Sequence, residues 1–432
     1  MAKIALKGKR VMVLGLGTRG GGVGVVRFLV ERGAKVLVSD LKSEEELPSL
    51  EEIVDLPINF SLGGHHSEIF ETDLIVRNPA VPHTAKVLQE AKRRGIPVMM
   101  EPTLFFAFCP SSEVSRACSH AGSRIIGVTG TKGKTTTTLL LEKVLKEAGE
   151  KVVAAGNFGR SMLEVLPQVS PKTWVVLELS SFQLEGLKVI KRSPHIAVIT
   201  NFFPDHLNRY RDMAEYAQAK SYLFRYQKRG DLLFIERGVR ESFDLSHLSS
   251  RICEFAGGPR EAVERLSAIL GLPFDSEIEV NPPYRLEFVG EKEGIRFIND
   301  SCATNPGATL FALEKFRNNR VVLITGGTDK NLDYSELSER INIMKTPTVL
   351  LSGSATEKLK VGLREELILI ETSELEKAVR VAFSAACPAE SRPFCKKGGR
   401  RWVLFSPAAA SFELFDDEFD RGERFNGEVK EL

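Results

Sequence analysis

At 432 residues the chain exceeds one ordinary core, and roughly 150 residues per domain suggests about three domains. With 43% hydrophobic residues, 27% charged residues and a net charge of +2, the composition fits a folded globular protein and excludes charge-driven binding to nucleic acid or an anionic membrane. No run approaches the ~20 apolar residues that span a bilayer, Met1–Lys7 carries no long apolar signal core, and the cysteines at 109, 118, 253, 302, 387 and 395 form no Cys-x-x-Cys pair, so a reducing cytoplasm is the expected location.

In chain order, Arg10–Leu14 reads as a buried strand. Gly15-Leu16-Gly17-Thr18-Arg19-Gly20 and a helix to Arg32 follow, then a second strand, Lys35–Ser39, that ends at Asp40. Glycines spaced this way let backbone amides approach a diphosphate at a helix N-terminus, and an acid about twenty residues on meets the ribose. The residues alone leave three readings open: a nicotinamide dinucleotide, a UDP-sugar with Asp40 on its base or ribose, or a β-to-α turn without ligand. The second phosphate loop described below makes the dehydrogenase the less economical choice. Asp73–Arg77 reads as a strand, Thr84–Arg94 as a helix and Pro97–Met100 as a short strand. Such alternation predicts a parallel sheet. Glu101-Pro102 marks a boundary, and serine-rich 109–123 reads as a loop to the next domain.

The β-branched run Ile125–Thr129 then stops at Gly130-Thr131-Lys132-Gly133-Lys134-Thr135-Thr136, which opens a helical pattern. Strand, glycine turn and helix in this order suit a triphosphate. Glycine amides cradle the phosphates, Lys134 supplies a point charge and Thr135 a hydroxyl for magnesium. The generic spacing is missed by one residue, because Val128 stands where the first glycine belongs. Val152–Ala155 is a strand ending at Gly156-Asn157-Phe158-Gly159, and Trp174–Leu177 another ending at Glu178. A carboxylate at that strand end is placed to hold magnesium, directly or through water, or simply to face solvent. Ile196–Asn201 leads to Asp205-His206, where His206 is either a metal ligand or a loop residue. The helix from Met213 carries Lys220, an isolated lysine that by itself reads as solvated and as a cation cannot ligate metal. Strands at Leu232–Ile235 and near Ile252 and a helix over 261–270 follow, and Asn281-Pro282-Pro283 marks the next boundary. Val321–Ile324, Thr348–Leu351 and Trp402–Phe405 are further strands with helical patterns between them, predicting a third, Rossmann-like unit. Lys330, in Gly326-Gly327-Thr328-Asp329-Lys330, reads by itself as a solvated turn residue.

Taken together, Gly130–Thr135, Gly156–Gly159, Leu177–Leu184, Asp205-His206 and Ala219-Lys220 resemble the Mur ligases, ATP-dependent amide-forming enzymes of peptidoglycan synthesis. Leu177–Leu184, Asn299–Pro306 and Ser406–Phe412 resemble the D-glutamate-adding branch, and the match runs from about residue 10 to the final helix. The fold class this implies is α/β in three domains: a UDP-substrate-binding Rossmann-like domain over 1–101, a central P-loop ATPase-type domain over 102–281 and a Rossmann-like amino-acid-binding domain over 282–432.

The resemblance further implies ATP with two magnesium ions, the first on Thr135 and Glu178. The second would lie on His206 and Lys220, with Lys220 carbamylated and thereby an oxygen ligand. Lys134 would stabilise the transferred phosphoryl group, and Gly130, Thr131, Lys132, Gly133, Thr136, Arg285 and Asp300 would serve the nucleotide. Asn157 would touch substrate near the reacting carboxylate, Thr18, Arg19, Asp40 and Lys42 would bind UDP, Thr304 would bind substrate, and Lys330, Ser411 and Phe412 would bind D-glutamate. The implied partners are the small molecules UDP-N-acetylmuramoyl-L-alanine and D-glutamate, with neither nucleic acid nor membrane, for a cytoplasmic monomer. The third domain would close over ATP to keep water from an acyl phosphate. The alternatives are a Mur-type ligase for another amino acid, a folylpolyglutamate synthetase-like enzyme, or a UDP-sugar- and ATP-binding protein without catalysis.

The chain departs from the family pattern at several places. Cys302 stands where members usually have lysine, and Pro283-Tyr284-Arg285 replaces Pro-His-Arg. Phe255–Arg260 runs into a helix where a His-Asn-x-x-Asn element is usual, and the spacing over 415–421 is altered, which leaves the family's aromatic position open to Phe419 or to another residue.

Overall fold

The computed structural model describes residues 4–17, 21–65, 70–110, 125–207, 209–387 and 400–432. They form two compact units: Met1–Pro204 with Arg209–Val280, and Asp205–Asn208 with Asn281–Leu432.

The first unit carries two sheets. One is built from β1 (Arg10–Leu14), β2 (Lys35–Ser39), β3 (Ile58–Ser61), β4 (Leu74–Arg77) and β5 (Val98–Met99), with α1 (Gly21–Glu31) and α2 (Lys86–Arg93). Its order is β3-β2-β1-β4-β5, and every pairing is parallel. After α3 (Glu101–Phe108), the second sheet comprises β6 (Ile125–Thr129), β7 (Val152–Gly156), β8 (Trp174–Glu178), β9 (Ile196–Ile199), β10 (Leu232–Glu236) and β11 (Arg251–Phe255). The order there is β11-β10-β9-β6-β8-β7, again all parallel. Helices α4 (Lys134–Glu147), α5 (Met162–Val165), α6 (Ser181–Ile190), α7 (Met213–Ser221) and α8 (Gly258–Leu270) accompany it. Runs such as Ile125–Thr129 and Trp174–Glu178 are buried along their whole length, as expected of parallel strands covered on both faces. Side-chain caps mark two of the helix starts: Ser180 and Gln183 form a capping box on α6, and Asp212 accepts from the Glu215 amide on α7.

A single apolar core runs from β1 and α1 through α3 to β8 and β10. The buried Glu101 opens α3, and its carboxylate accepts from Ser161 Oγ at 2.6 Å and the Met162 amide at 2.7 Å. Burial raises its pKa to about 7 against these donors. Gly24 of α1 lies so close to α5 that a Cβ there would sit 2.2 Å from Ser161 Oγ.

The second unit holds β12 (Glu287–Lys292), β13 (Ile295–Asn299), β14 (Arg320–Gly326), β15 (Thr348–Leu351), β16 (Ile368–Thr372) and β17 (Arg401–Phe405). Their order is β12-β13-β17-β14-β15-β16, with β12 antiparallel to β13 and the other pairs parallel. Helices α9 (Pro306–Lys315), α10 (Ser335–Met344), α11 (Ser354–Gly362), α12 (Leu375–Ala386) and α13 (Glu418–Glu431) complete it.

Several elements carried no usable sequence signal. Of β3 only Ser61 is buried, and α3 is apolar nearly all round, so neither shows a period. The β12–β13 hairpin has no fully buried residue in its first strand. Among the described residues no helix is long and apolar enough to cross a membrane.

Candidate active site

The glycine turn after β6 is held by backbone geometry that only glycine accommodates. Gly130 has φ +150°, and a Cβ there would lie 1.9 Å from Thr200 Oγ1. Gly133, at φ +78°, occupies the N-cap of α4, and no side chain caps that helix, so its first amides are left for a ligand. Thr200 and Asn201, just beyond β9, clamp the turn. Thr200 Oγ1 and Asn201 Nδ2 donate to the Lys132 carbonyl at 2.5 and 3.0 Å, while Asn201 Oδ1 accepts from the Lys132 amide at 2.7 Å. Thr131 Oγ1 donates to the Phe203 carbonyl at 3.2 Å. Sequence reasoning did not assign Thr200 and Asn201 a role; the available signal was a polar pair at a strand's C-terminal end, the position class of Glu178.

Two lysines converge on one carbonyl. Lys134 Nζ donates to Gly130 O at 3.1 Å and to Thr131 O at 3.0 Å. Lys220 Nζ, from the last turn of α7, donates to the same Gly130 O at 2.9 Å and lies 4.6 Å from the centre of the Tyr216 ring. Lys220 is 1% exposed, so it is not the solvated residue its isolation suggested. Two ammonium groups beside the N-terminus of α4 are an arrangement that suits a polyanionic ligand.

Glu178 closes the arrangement. It ends β8 in register with Val128 of β6 and Gly156 of β7. A Cβ on Gly156 would lie 2.0 Å from the Glu178 carbonyl, so the strand ends touch there. The carboxylate is buried. Asn157 Nδ2 donates to Oε1 at 3.4 Å, and Oε2 has no hydrogen-bond partner. An unpartnered buried oxygen costs at least about 1–3 kcal/mol, a cost that a bound cation would remove. Thr135, also buried, is the second residue of α4. One carboxylate and one hydroxyl beside a phosphate site suit magnesium, which keeps several waters and takes its remaining oxygens from phosphate. No group of three or more His, Cys, Asp or Glu residues placed to hold a metal occurs among the described residues.

In the first sheet Gly15 and Gly17 have φ of +79° and +71°. Asp40 accepts from the Leu16 amide at 2.8 Å and the Lys42 amide at 3.0 Å, so its carboxylate braces the glycine loop. Lys42 is half-buried. Thr18 and Arg19 lie outside the described residues.

The remaining expected residues belong to the second unit. His206 is on its short segment, at φ +57°, with its amide on Asp205 Oδ1 at 2.9 Å. Lys330 is 7% exposed and its Nζ reaches Asp205 Oδ1 at 3.3 Å and Thr304 Oγ1 at 3.2 Å, which corrects the turn reading of this lysine. Asp300 accepts from Ser406 Oγ at 2.8 Å and from the Leu286 amide at 3.2 Å, while Arg285 is half-buried. Ser411 Oγ is buried without a partner, and Phe412 is 65% exposed. Arg421, unnoticed in the sequence, is fully buried and donates to the carbonyls of Ser301, Ala409 and Ala410. It thereby ties the loop after β13 to the loop after β17. Burial pulls its pKa down to about 10.

The departures that lie in the second unit pack together. The Cys302 amide donates to the Tyr284 carbonyl at 3.0 Å, and the Tyr284 and Phe419 rings meet edge to face at 5.8 Å. Tyr284 has φ +55°, and a Cβ on Gly422 would come within 2.6 Å of its ring. In the first unit, the Pro259 ring stands 3.0 Å from where a Gly133 Cβ would be. That contact occupies the stretch where the His-Asn-x-x-Asn element is usual.

Comparison with known proteins gives three family matches: the Mur ligase MurD-like N-terminal domain over 9–100, the Mur ligase middle domain over 128–246, and the Mur ligase glutamate ligase domain over 284–392. The UDP-N-acetylmuramoylalanine–D-glutamate ligase of Roseiflexus sp. strain RS-1 is 35% identical, covering 97% of this chain and 98% of that protein. The protein so named in Borreliella burgdorferi strain ZS7 is 32% identical, with 99% of each covered. Among solved structures, UDP-N-acetylmuramate-alanine ligase MurC from Thermotoga maritima superposes with a TM-score of 0.58 at 18% identity, covering 98% of this chain and 99% of that one. MurF ligase from Thermotoga maritima in complex with ADP gives 0.57 at 16% identity, with 99% of each chain covered. These two likenesses concern the fold.

The Gly130 geometry carries a direct consequence. Gly130→Ala should displace the turn from Thr200 and weaken ATP binding on the order of 100-fold or more, read by calorimetric titration. Wild-type ATP affinity in that variant would mean that nucleotide binds elsewhere.

Proposed function

Because the chain belongs to the Mur ligase family, we infer that it is an ATP-dependent ligase that joins D-glutamate to UDP-N-acetylmuramoylalanine in peptidoglycan synthesis. The observation that carries this is identity of 31–35% over essentially full length to proteins of that name. The branch-specific segments lie in the central and third parts of the chain, with domain limits taken as 1–101, 102–281 and 282–432.

In the reaction so inferred, the L-alanyl carboxylate attacks the γ-phosphorus of ATP, ADP leaves, and an acyl phosphate forms. The amine of D-glutamate attacks its carbonyl carbon, the tetrahedral adduct expels phosphate, and an amide results. The chain's task is to position the reactants and neutralise charge. Lys134 and Lys220 already present two cations to the loop carbonyl, and Lys134 would move onto the transferred phosphoryl group. The amides of α4, with Thr131, Lys132 and Thr136, would hold the phosphates. Asn157 would fix the substrate carboxylate, and Arg285 and Asp300 would meet the nucleotide.

Magnesium would be held by Thr135 and Glu178, and a second ion by His206 and a carbamylated Lys220, supplying charge neutralisation to the phosphoryl oxygens. The orphaned Glu178 Oε2 fits the first ion. Carbamylation, in which the Lys220 ammonium adds carbon dioxide and releases two protons, would turn a buried cation into an anionic oxygen donor. In the second unit Lys330 and Ser411 are the charge-assisted and neutral donors for a dicarboxylic amino acid, with Thr304 beside Lys330 and Phe412 on the same loop as Ser411. Asp40 and Lys42, with Thr18 and Arg19, would take the uridine end. The partners on this reading are small molecules, and the enzyme acts as a cytoplasmic monomer.

Phosphate release from purified protein with ATP, magnesium and UDP-N-acetylmuramoyl-L-alanine, offering single amino acids in turn, should be stimulated by D-glutamate. Release with L-lysine or meso-diaminopimelate and none with D-glutamate would overturn the specificity. Lys220→Ala should lose essentially all turnover and recover part of it with a short-chain carboxylic acid, whereas wild-type turnover without the acid would rule out a ligand role for Lys220.

A further inference from the structure

One charged cluster of the first unit has no part in the chemistry above. Arg77 ends β4, and its side chain is 7% exposed. Its Nη2 bonds Glu185 Oε2 at 2.5 Å and its Nη1 donates to the Val81 carbonyl at 2.6 Å. Arg209 shares that glutamate: its Nη2 stands 3.8 Å from Glu185 Oε1, too far for a hydrogen bond. Its Nη1 donates to the Ala80 carbonyl at 2.9 Å, and its guanidinium stacks over the Phe182 ring at 4.1 Å. The Arg209 side chain is 12% exposed, and its Nε and Nη2 are buried without hydrogen-bond partners.

Two guanidinium groups therefore face one carboxylate, leaving one excess positive charge. Burial lowers the Arg209 pKa while Glu185 opposes the shift, but an arginine stays charged in proteins. A cation with two idle N–H groups out of water is expensive unless an anion joins it. The planar fork of arginine suits phosphate oxygens in particular.

The position of Arg209 identifies the anion. Ala80, which holds it, lies two residues from Asn78. Asn78 in turn packs on the glycine loop: a Cβ on Gly17 would lie 2.6 Å from Asn78 Nδ2. Phe182, on which it stacks, lies four residues beyond Glu178 at the start of α6. Arg209 thus bridges the glycine loop of the first sheet and the Glu178 end of the second, both at the C-terminal strand ends where ligands of α/β sheets bind. We propose that Arg209 binds the diphosphate of the sugar nucleotide, donating from Nε and Nη2, with Arg77 and Glu185 as positioning residues that hold its guanidinium against Phe182. The proposal rests on the reading of the first domain as the UDP-sugar site.

Titration of UDP and of UDP-N-acetylmuramoyl-L-alanine, without ATP, into wild type, Arg209→Met and Arg209→Lys tests it. Arg209→Met should weaken both ligands by on the order of 10- to 100-fold, and flatten the salt dependence of UDP binding, while ADP affinity stays at the wild-type value. Arg209→Lys should fall between. Wild-type UDP affinity in Arg209→Met overturns the proposal, whether the variant merely melts earlier, as a lost brace would make it, or loses affinity for the full substrate alone. Should Arg209→Met not fold, wild-type UDP affinity in a folded Arg209→Lys overturns it equally. Failure of the wild-type protein to bind UDP would instead refute the underlying reading of the first domain.

Discussion

The centre of the molecule is an electrostatic conflict around the Gly130 carbonyl. Two buried or half-buried ammonium groups share that one acceptor, while across the strand ends the Glu178 carboxylate keeps one oxygen without a donor. Each arrangement is unfavourable by itself. On the proposed reading a triphosphate carrying a divalent cation would resolve both together: phosphate oxygens would answer the lysines and the metal the carboxylate. The site is therefore organised around a ligand rather than around internal satisfaction, as expected where function outranks stability.

The fold supplies the close approach that this requires. β6, β8 and β7 bring Val128, Glu178 and Gly156 into one register, and glycine at 130 and 156 removes the side chains that would separate the strand ends. Thr200 and Asn201 then lock the Lys132 peptide from the β9 side. In the second unit Arg421 does comparable work with a charged group, holding two loops by their carbonyls. The packed group of Cys302, Tyr284 and Phe419 lies on one of those loops and its neighbours. The changes at Cys302, Tyr284 and Phe419 thus form one connected group.

What could be read in advance followed local chemistry. The glycine loops, Glu178 at a strand end and the parallel sheets were legible because glycine geometry and buried β-branched runs leave marks in short segments. Tertiary partnerships were not. Lys330 looked like a solvated turn residue, because nothing in its own segment shows Asp205 and Thr304 beside it. Lys220 looked isolated, because the Gly130 carbonyl it meets is ninety residues earlier. Nor does the segment around Asp40 show that its carboxylate braces the amides of Leu16 and Lys42. Elements without periodicity, such as β3 and α3, were missed for the related reason that burial is decided by neighbours.

The central claim is that this phosphate site activates a carboxylate by phosphorylating it. Isotope transfer tests this most directly. With both oxygens of the L-alanyl carboxylate labelled as oxygen-18, turnover with ATP and D-glutamate should place one labelled oxygen in the released phosphate and leave the other in the amide carbonyl. Released phosphate free of label would contradict the account, because no acyl phosphate could then lie on the path.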